Sequence, residues 1–242
     1  MNRVNMNVWQ GQIFGVIGPN GAGKTTLLNI LSGLMRPDKG EVFYFGRKVN
    51  ALTPHARSRL GMSKTFQTSK LFSAGNFTVL DNVMVGAYNH SQTNLFASML
   101  SFPVIRHQER EIREKAMEYL RILGLASRAL QRADALPVGD RRLVEIARCL
   151  TGEPRVLLLD EPAAGLNDAE VDALGSVLEM LNARGITIVL VEHRVAMVMR
   201  LCHQVIVLDH GSKIAEGSPA EVRADKKVEV AYFGTQTNDP TN

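Results

Sequence analysis

Cysteine is scarce in this chain of 242 residues: Cys149 and Cys202 lie far apart and belong to no C-x-x-C pattern. That argues against a disulfide framework, a zinc knuckle or a redox dithiol. Both fall in apolar helical patterns, the usual setting of a buried free thiol. No apolar run approaches the ~18–20 residues needed to span a bilayer. The opening Met1-Asn2-Arg3-Val4-Asn5 lacks the apolar stretch of a secretion signal, so the sequence reads as cytosolic. No dense run of Lys and Arg accompanies the net charge of +4, which excludes a nucleic-acid groove and a polybasic membrane patch. Of six histidines, the five other than His193 are scattered without metal-ligand spacing. There is no internal repeat. With 45% hydrophobic and 21% charged residues, the chain can bury one full core, or a core with a subdomain.

What is present centres on Gly18-Pro19-Asn20-Gly21-Ala22-Gly23-Lys24-Thr25-Thr26, which satisfies the phosphate-loop pattern G-x-x-x-x-G-K-[ST]. Several backbone N–H groups must converge on one concavity to hold a di- or triphosphate, and glycines let the backbone wrap that closely. Lys24 adds charge for the outer phosphates, and the Thr25 hydroxyl suits Mg²⁺. Ile13 to Ile17 reads as a buried strand ahead of the loop. Thr26 to Leu31 reads as a helix whose N-terminal dipole points at the phosphates.

Along the chain, Val4, Met6 and Val8 alternate with Asn5 and Asn7 as a half-buried strand does. Glu41 to Phe45 reads as a strand ending at Gly46, and Thr53-Pro54 opens a short helix. Residues 66–88 mix turns and short apolar runs. Residues 89–108 are irregular, with one apolar cluster closed by Pro103. Ile112, Ala116, Tyr119, Leu120 and Leu123 have a helical period, as do Leu143, Ile146, Ala147 and Leu150. Arg141-Arg142 reads most simply as a solvated helix face. Val156 to Leu159 is continuously apolar, as a parallel strand buried on both faces must be. A helix with Val171, Leu174 and Leu178 follows, then strands at Ile186–Val191 and Val205–Leu208. A hairpin turn at Asp209–Ser212 and a capping box at Ser218-Pro219-Ala220-Glu221 come next, and the polar tail from Thr235 reads as disordered.

The second chemical element is Asp160-Glu161-Pro162, at the C-terminal edge of that apolar strand, where parallel sheets keep their sites. Asp160 suits the shell of a Mg²⁺ ion and Glu161 suits a general base for attacking water. On its own the pair would read as a solvated strand end; a phosphate loop upstream reverses that reading.

The ordered set resembles the ATP-binding-cassette (ABC) ATPases: the phosphate loop, Phe66-Gln67, Leu136-Pro137-Val138-Gly139-Asp140, the paired carboxylates, Ala163-Ala164-Gly165-Leu166-Asn167, and Val191-Glu192-His193. Thr65-Phe66-Gln67, the insertion near 89–108, the run from Asp160 to Asn167 and Ala231-Tyr232-Phe233-Gly234 are similar to the ATP-binding subunits of branched-chain amino acid importers. Relatives serving urea, amides or other small polar solutes share much of this.

The resemblance implies an α/β fold. It has a P-loop sheet core, an N-terminal antiparallel β subdomain, and a helical subdomain at about 70–150 inserted into one domain spanning 1–234, with 235–242 as tail. It implies ATP and Mg²⁺ as ligands. Asn20, Gly21, Ala22, Gly23, Lys24, Thr25 and Thr26 would cradle the phosphates, and Thr25, Gln67 and Asp160 would flank the metal. Glu161, His193 and Gln67 would serve catalysis. Pro137, Val138, Gly139 and Asp140 would face the nucleotide of a second ATP-binding subunit, in a homo- or heterodimer. Membrane permease subunits are implied as partners, a solute-binding protein indirectly, and a place on the inner face of the cell membrane. Cassette proteins of translation or DNA repair carry paired cassettes or long coiled insertions, and neither is seen here. A low-turnover regulatory subunit is the remaining alternative.

Two features depart from the family pattern. Pro137 stands where the signature usually has a serine, leaving neither hydroxyl nor N–H. The amide of Gly139 at a helix N-terminus remains an anion site, so a weaker trans contact is expected at one of two sites. The chain also lacks the earlier strand and adenine-stacking aromatic that the family places before Val4, with Trp9 in the turn instead. Aromatic–base stacking is worth ~1–3 kcal/mol, so either the true start lies further upstream or adenine is held in some other way.

Overall fold

The computed structural model describes residues 1–65, 71–72, 77–88 and 102–233. Its strands are β1 (Ile13–Ile17), β2 (Phe43–Tyr44), β3 (Arg47–Lys48), β4 (Met62–Lys64), β5 (Val156–Asp160), β6 (Thr187–Val191), β7 (Gln204–Asp209) and β8 (Ser212–Gly217). Its helices are α1 (Lys24–Ser32), α2 (Pro54–Arg59), α3 (Val79–Tyr88), α4 (Phe102–Ile122), α5 (Val138–Leu150), α6 (Asp168–Ala183), α7 (Val195–Leu201), α8 (Pro219–Ala224) and α9 (Lys226–Phe233). Among the described residues the main sheet runs β4-β5-β6-β1-β7-β8, and β2-β3 form a separate antiparallel pair. All neighbours in the main sheet are parallel except β7-β8.

The period-two alternation of strand side chains divides the interior into two cores. Leu157, Leu159, Ile188, Leu190, Val205 and Val207 face the larger core beneath the helices. Leu158, Val189, Val191, Ile206 and Leu208 face a smaller one with Leu27 and Leu28 of α1 and Tyr44 of β2. Each fully buried Leu or Val contributes about 1.5–3 kcal/mol, so the alternation fixes the register of every central strand. Gly15 interrupts β1 for a packing reason: a Cβ there would stand 2.6 Å from Val198 Cγ1 and 3.0 Å from Cys202 Sγ. Local signals agree with this frame. The Thr53 side chain accepts the Ala56 amide with Pro54 in the first turn, and Ser218 with Glu221 forms a capping box for α8. The β7–β8 turn uses His210 and Gly211, both at positive φ (44° and 77°), as a two-residue hairpin of twisted strands requires.

Some expectations are corrected. Val4, Met6 and Val8 are half-buried and Asn5 and Asn7 exposed, yet the stretch forms no strand; alternation sets exposure, but a strand also needs a ladder partner. The strand expected at Glu41–Phe45 shrinks to two residues, because Phe45 and Gly46, at φ 46° and 75°, are the hairpin turn. The Arg155 guanidinium lies 3.6 Å over the Phe45 ring and supports that backbone. Within 66–88 lies the helix α3, started by a reciprocal cap: the Thr78 hydroxyl accepts from the Asp81 amide and an Asp81 carboxylate oxygen from the Thr78 amide. Residues 102–108 belong to α4 rather than to an irregular segment; 89–101 and the tail from 234 lie outside the described residues. Arg142 is not solvated: it is 9% exposed, with Nη1 3.2 Å from Glu145 Oε2 one turn on. Cys202 is buried as expected while Cys149 is half-buried, and desolvation pushes both thiols up to about 12.

Candidate functional site

The phosphate loop leaves β1 at Gly18 and enters α1 at Lys24. A Cβ at Gly18 would meet the Leu208 carbonyl at 2.1 Å, so the first glycine is needed for close packing on β7. Gly21 and Gly23 take φ 80° and 100°, which favour glycine. Gly23 precedes α1 without a side-chain cap, so the first amides of the helix keep their donors for an anion. Lys24 is 5% exposed and its Nζ donates to the Gly18 and Pro19 carbonyls at 2.8 and 2.9 Å. Burial lowers its pKa, against the raising influence of Glu161 and Asp160.

The carboxylates stand beside the loop. Thr25 Oγ1 donates to Asp160 Oδ1 at 3.3 Å. The other carboxylate oxygen, Oδ2, faces Lys64 Nζ at 3.5 Å, and that ammonium also donates to Asn29 Oδ1 at 2.6 Å. Burial pushes the Asp160 carboxyl up, and Lys64 is the largest opposing influence. Among the described residues no cluster of three or more His, Cys, Asp or Glu could cage a metal. A hydroxyl and a carboxylate side by side are hard oxygen donors of the kind that bind Mg²⁺ together with phosphate oxygens, so this pair fits that ion.

Glu161 follows at φ 52°, a strained conformation for a residue with a Cβ and one that clusters at working sites. It aims its side chain differently from Asp160, and Glu161 Oε1 lies 2.6 Å from His193 Nε2. His193 is held from behind. Glu192, 2% exposed, accepts the Ala163 amide at 2.6 Å through one oxygen and the His193 amide at 3.0 Å through the other. Burial raises the Glu192 pKa against those backbone donors. Glu192→Gln removes an acceptor from this buried set. It is expected to cost about 1–3 kcal/mol of stability and to slow turnover by loosening His193, checked by urea denaturation and phosphate release.

Pro137 to Asp140 form the start of α5, with Pro137 at the cap position and making no side-chain cap bond. Asp140 is tied to Arg128 at 2.5 Å. A Cβ at Gly139 would lie 3.0 Å from Glu170 Oε1, in the first turn of α6. The signature segment thus borders the Ala163–Asn167 run. Of the residues singled out in the sequence, Thr25, Asp160, Glu161 and His193 are brought together; Gln67 lies outside the described residues. Lys64 and Glu192 were given no role there. Lys64 ends a three-residue strand in which only Met62 is buried, so no local pattern marks it.

The profile described as ABC transporter matches residues 1–164, and that of the branched-chain amino acid ATP-binding cassette transporter matches residues 212–237. The high-affinity branched-chain amino acid transport ATP-binding protein BraF of Pseudomonas aeruginosa is 37% identical over 97% of this chain and 91% of its own length. The LivG protein of Escherichia coli, of the same description, is 36% identical over the same shares. An ATP-binding cassette of an ABC transporter solved in its ADP conformation superposes with a TM-score of 0.81 at 31% identity, covering 96% of this chain and 91% of that one. A dimeric bacterial ABC transporter cassette gives 0.75 at 28%, covering 89% of each. With its phosphate loop, paired carboxylates and strand-end histidine on a shared fold, this chain belongs to the ABC transporter family of ATP-binding cassettes.

Proposed function

We propose that the chain is the ATP-hydrolysing subunit of a transporter for branched-chain or similar small amino acids. The observation carrying this is the 3.3 Å contact of Thr25 with Asp160 beside the Glu161–His193 pair. It supports a reading in which phosphate cradle, metal donors and base share one place. The amides of Asn20 to Thr26 and the Lys24 ammonium hold the phosphates. Thr25 and Asp160, with Gln67, would hold Mg²⁺, which when bound would neutralise phosphate charge. Glu161 takes a proton from water as its oxygen bonds to the γ-phosphorus. The bond to the β–γ bridging oxygen breaks, releasing ADP and phosphate. His193 orients Glu161 and reaches the γ-phosphate.

Pro137 supports a heterodimer in which the partner's signature, with its serine, closes over this chain's Lys24 turn. Residues 1–234 act as one cassette, docked with permease subunits at the inner face of the membrane; among the described residues no helix is long and apolar enough to cross it. The test is reconstitution of the purified cassettes and permease in vesicles with an amino-acid-binding protein. Leucine-class ligands are expected to stimulate ATP hydrolysis. Stimulation by urea or an amide alone would reassign the solute, and turnover unresponsive to every ligand would favour the regulatory subunit.

A further inference from the structure

Lys64 is the least expected group in the site. It ends β4 in parallel register with Leu158, its side chain is 8% exposed, and it faces Asp160, whose side chain is 1% exposed. Its ammonium bridges two elements, Asn29 of α1 at 2.6 Å and Asp160 Oδ2 at 3.5 Å. Asn29 lies one helical turn beyond Thr25, so from one face of α1 Thr25 reaches Asp160 directly and Asn29 reaches it through Lys64. Asp160 is therefore divided: Oδ1 goes to the hydroxyl that suits a metal, and Oδ2 to a cation supplied by the chain itself. A buried carboxylate without a counter-charge is costly, so the pairing lets the site remain assembled before any divalent ion arrives.

We propose that Lys64 is a built-in counter-cation. It holds Asp160 in place in the nucleotide-free protein and keeps the site's affinity for a free divalent ion low, so that the ion enters with the nucleotide's phosphates. A fixed positive charge within a few ångströms of a divalent ion repels it strongly where solvent screening is weak. The phosphates of the nucleotide outweigh that repulsion; Asp160 and Thr25 alone do not. Lys64 acts through Asp160 and touches no reacting atom, so it is a positioning residue. Lys24 cannot take this role while its ammonium is committed to the Gly18 and Pro19 carbonyls.

The inference rests on Asp160 being a metal ligand, and its test separates the two. Mn²⁺ binding to nucleotide-free protein is followed by loss of the free-ion electron paramagnetic resonance signal, and again with a non-hydrolysable ATP analogue after subtracting the ion that the analogue alone chelates. Wild type is expected to bind Mn²⁺ at least tenfold more tightly with the analogue than without. Lys64→Met is expected to bind free Mn²⁺ about tenfold more tightly than wild type, a 1.4 kcal/mol change, and Lys64→Arg to match wild type. A merely damaged site would bind the ion more weakly, so a gain of affinity distinguishes charge from shape. Lys64→Gln, which keeps a donor for Asp160 and Asn29, replaces Lys64→Met should that variant not fold. Lys64→Met within twofold of wild type, or weaker, overturns the proposal, as does micromolar Mn²⁺ binding by wild type without nucleotide. No added affinity with the analogue would instead remove Asp160 from the metal.

Discussion

Glu161→Gln is expected to bind ATP as wild type does and to hydrolyse it about 10²–10⁴-fold more slowly, the range of a lost general base. The substitution keeps volume and backbone preference, so the φ of 52° is no harder for glutamine to hold. What disappears is the carboxylate oxygen that can accept a proton from water. The neighbouring Asp160 cannot substitute, because its two oxygens already face Thr25 and Lys64. Nor can His193, whose Nε2 lies 2.6 Å from the substituted side chain and stays engaged by it. Filter binding with labelled ATP and phosphate release in the assembled transporter measure the two halves of the expectation. Hydrolysis within threefold of wild type would take Glu161 out of the reaction.

The largest stability effect is expected far from the phosphates, at Gly86. This residue lies inside α3, where glycine is otherwise unfavourable. A Cβ there would stand 1.8 Å from the Arg148 carbonyl oxygen and 2.3 Å from Thr151 Oγ1. The Thr151 hydroxyl spans the same gap, placed for bonds to the Val83 carbonyl at 3.1 Å and the Arg148 carbonyl at 2.8 Å. Gly86→Ala must push α3 and α5 apart and break that link. Overpacking of this kind costs about 1–3 kcal/mol, at times more, and a domain of this size loses roughly 2–4 °C of Tm per kcal/mol. Because α5 begins with the signature residues, turnover in the assembled complex should fall as well. An unchanged thermal midpoint would show that the two helices do not approach so closely.

Gly86 also illustrates what the sequence hid. Val79, Leu80, Val83, Met84 and Ala87 are buried along α3 and recur at helical spacing. The sequence shows there a mixture of turns and short apolar runs, and packing against α5 is what explains a glycine inside the helix. The central strands were legible because burial on both faces leaves a continuous apolar run. The loop and the acid pair were legible because their chemistry demands fixed residue types at short spacing. Lys64 was not, for a different reason. Its partners lie on α1 and β5, 35 and 96 residues away by number (64 − 29 and 160 − 64), and no local period records such a meeting.

The Gly211 amide donates to the Ala22 carbonyl at 3.0 Å, so the β7–β8 hairpin is fastened to the middle of the phosphate loop. Gly18 is pressed against Leu208 of the same hairpin. The phosphate loop is thus shaped at two points by a hairpin distant in sequence, and the C-terminal third is not an interchangeable module. Substitutions on its outer surface leave the phosphate loop alone, whereas any change of the turn is passed to it through the Ala22 carbonyl.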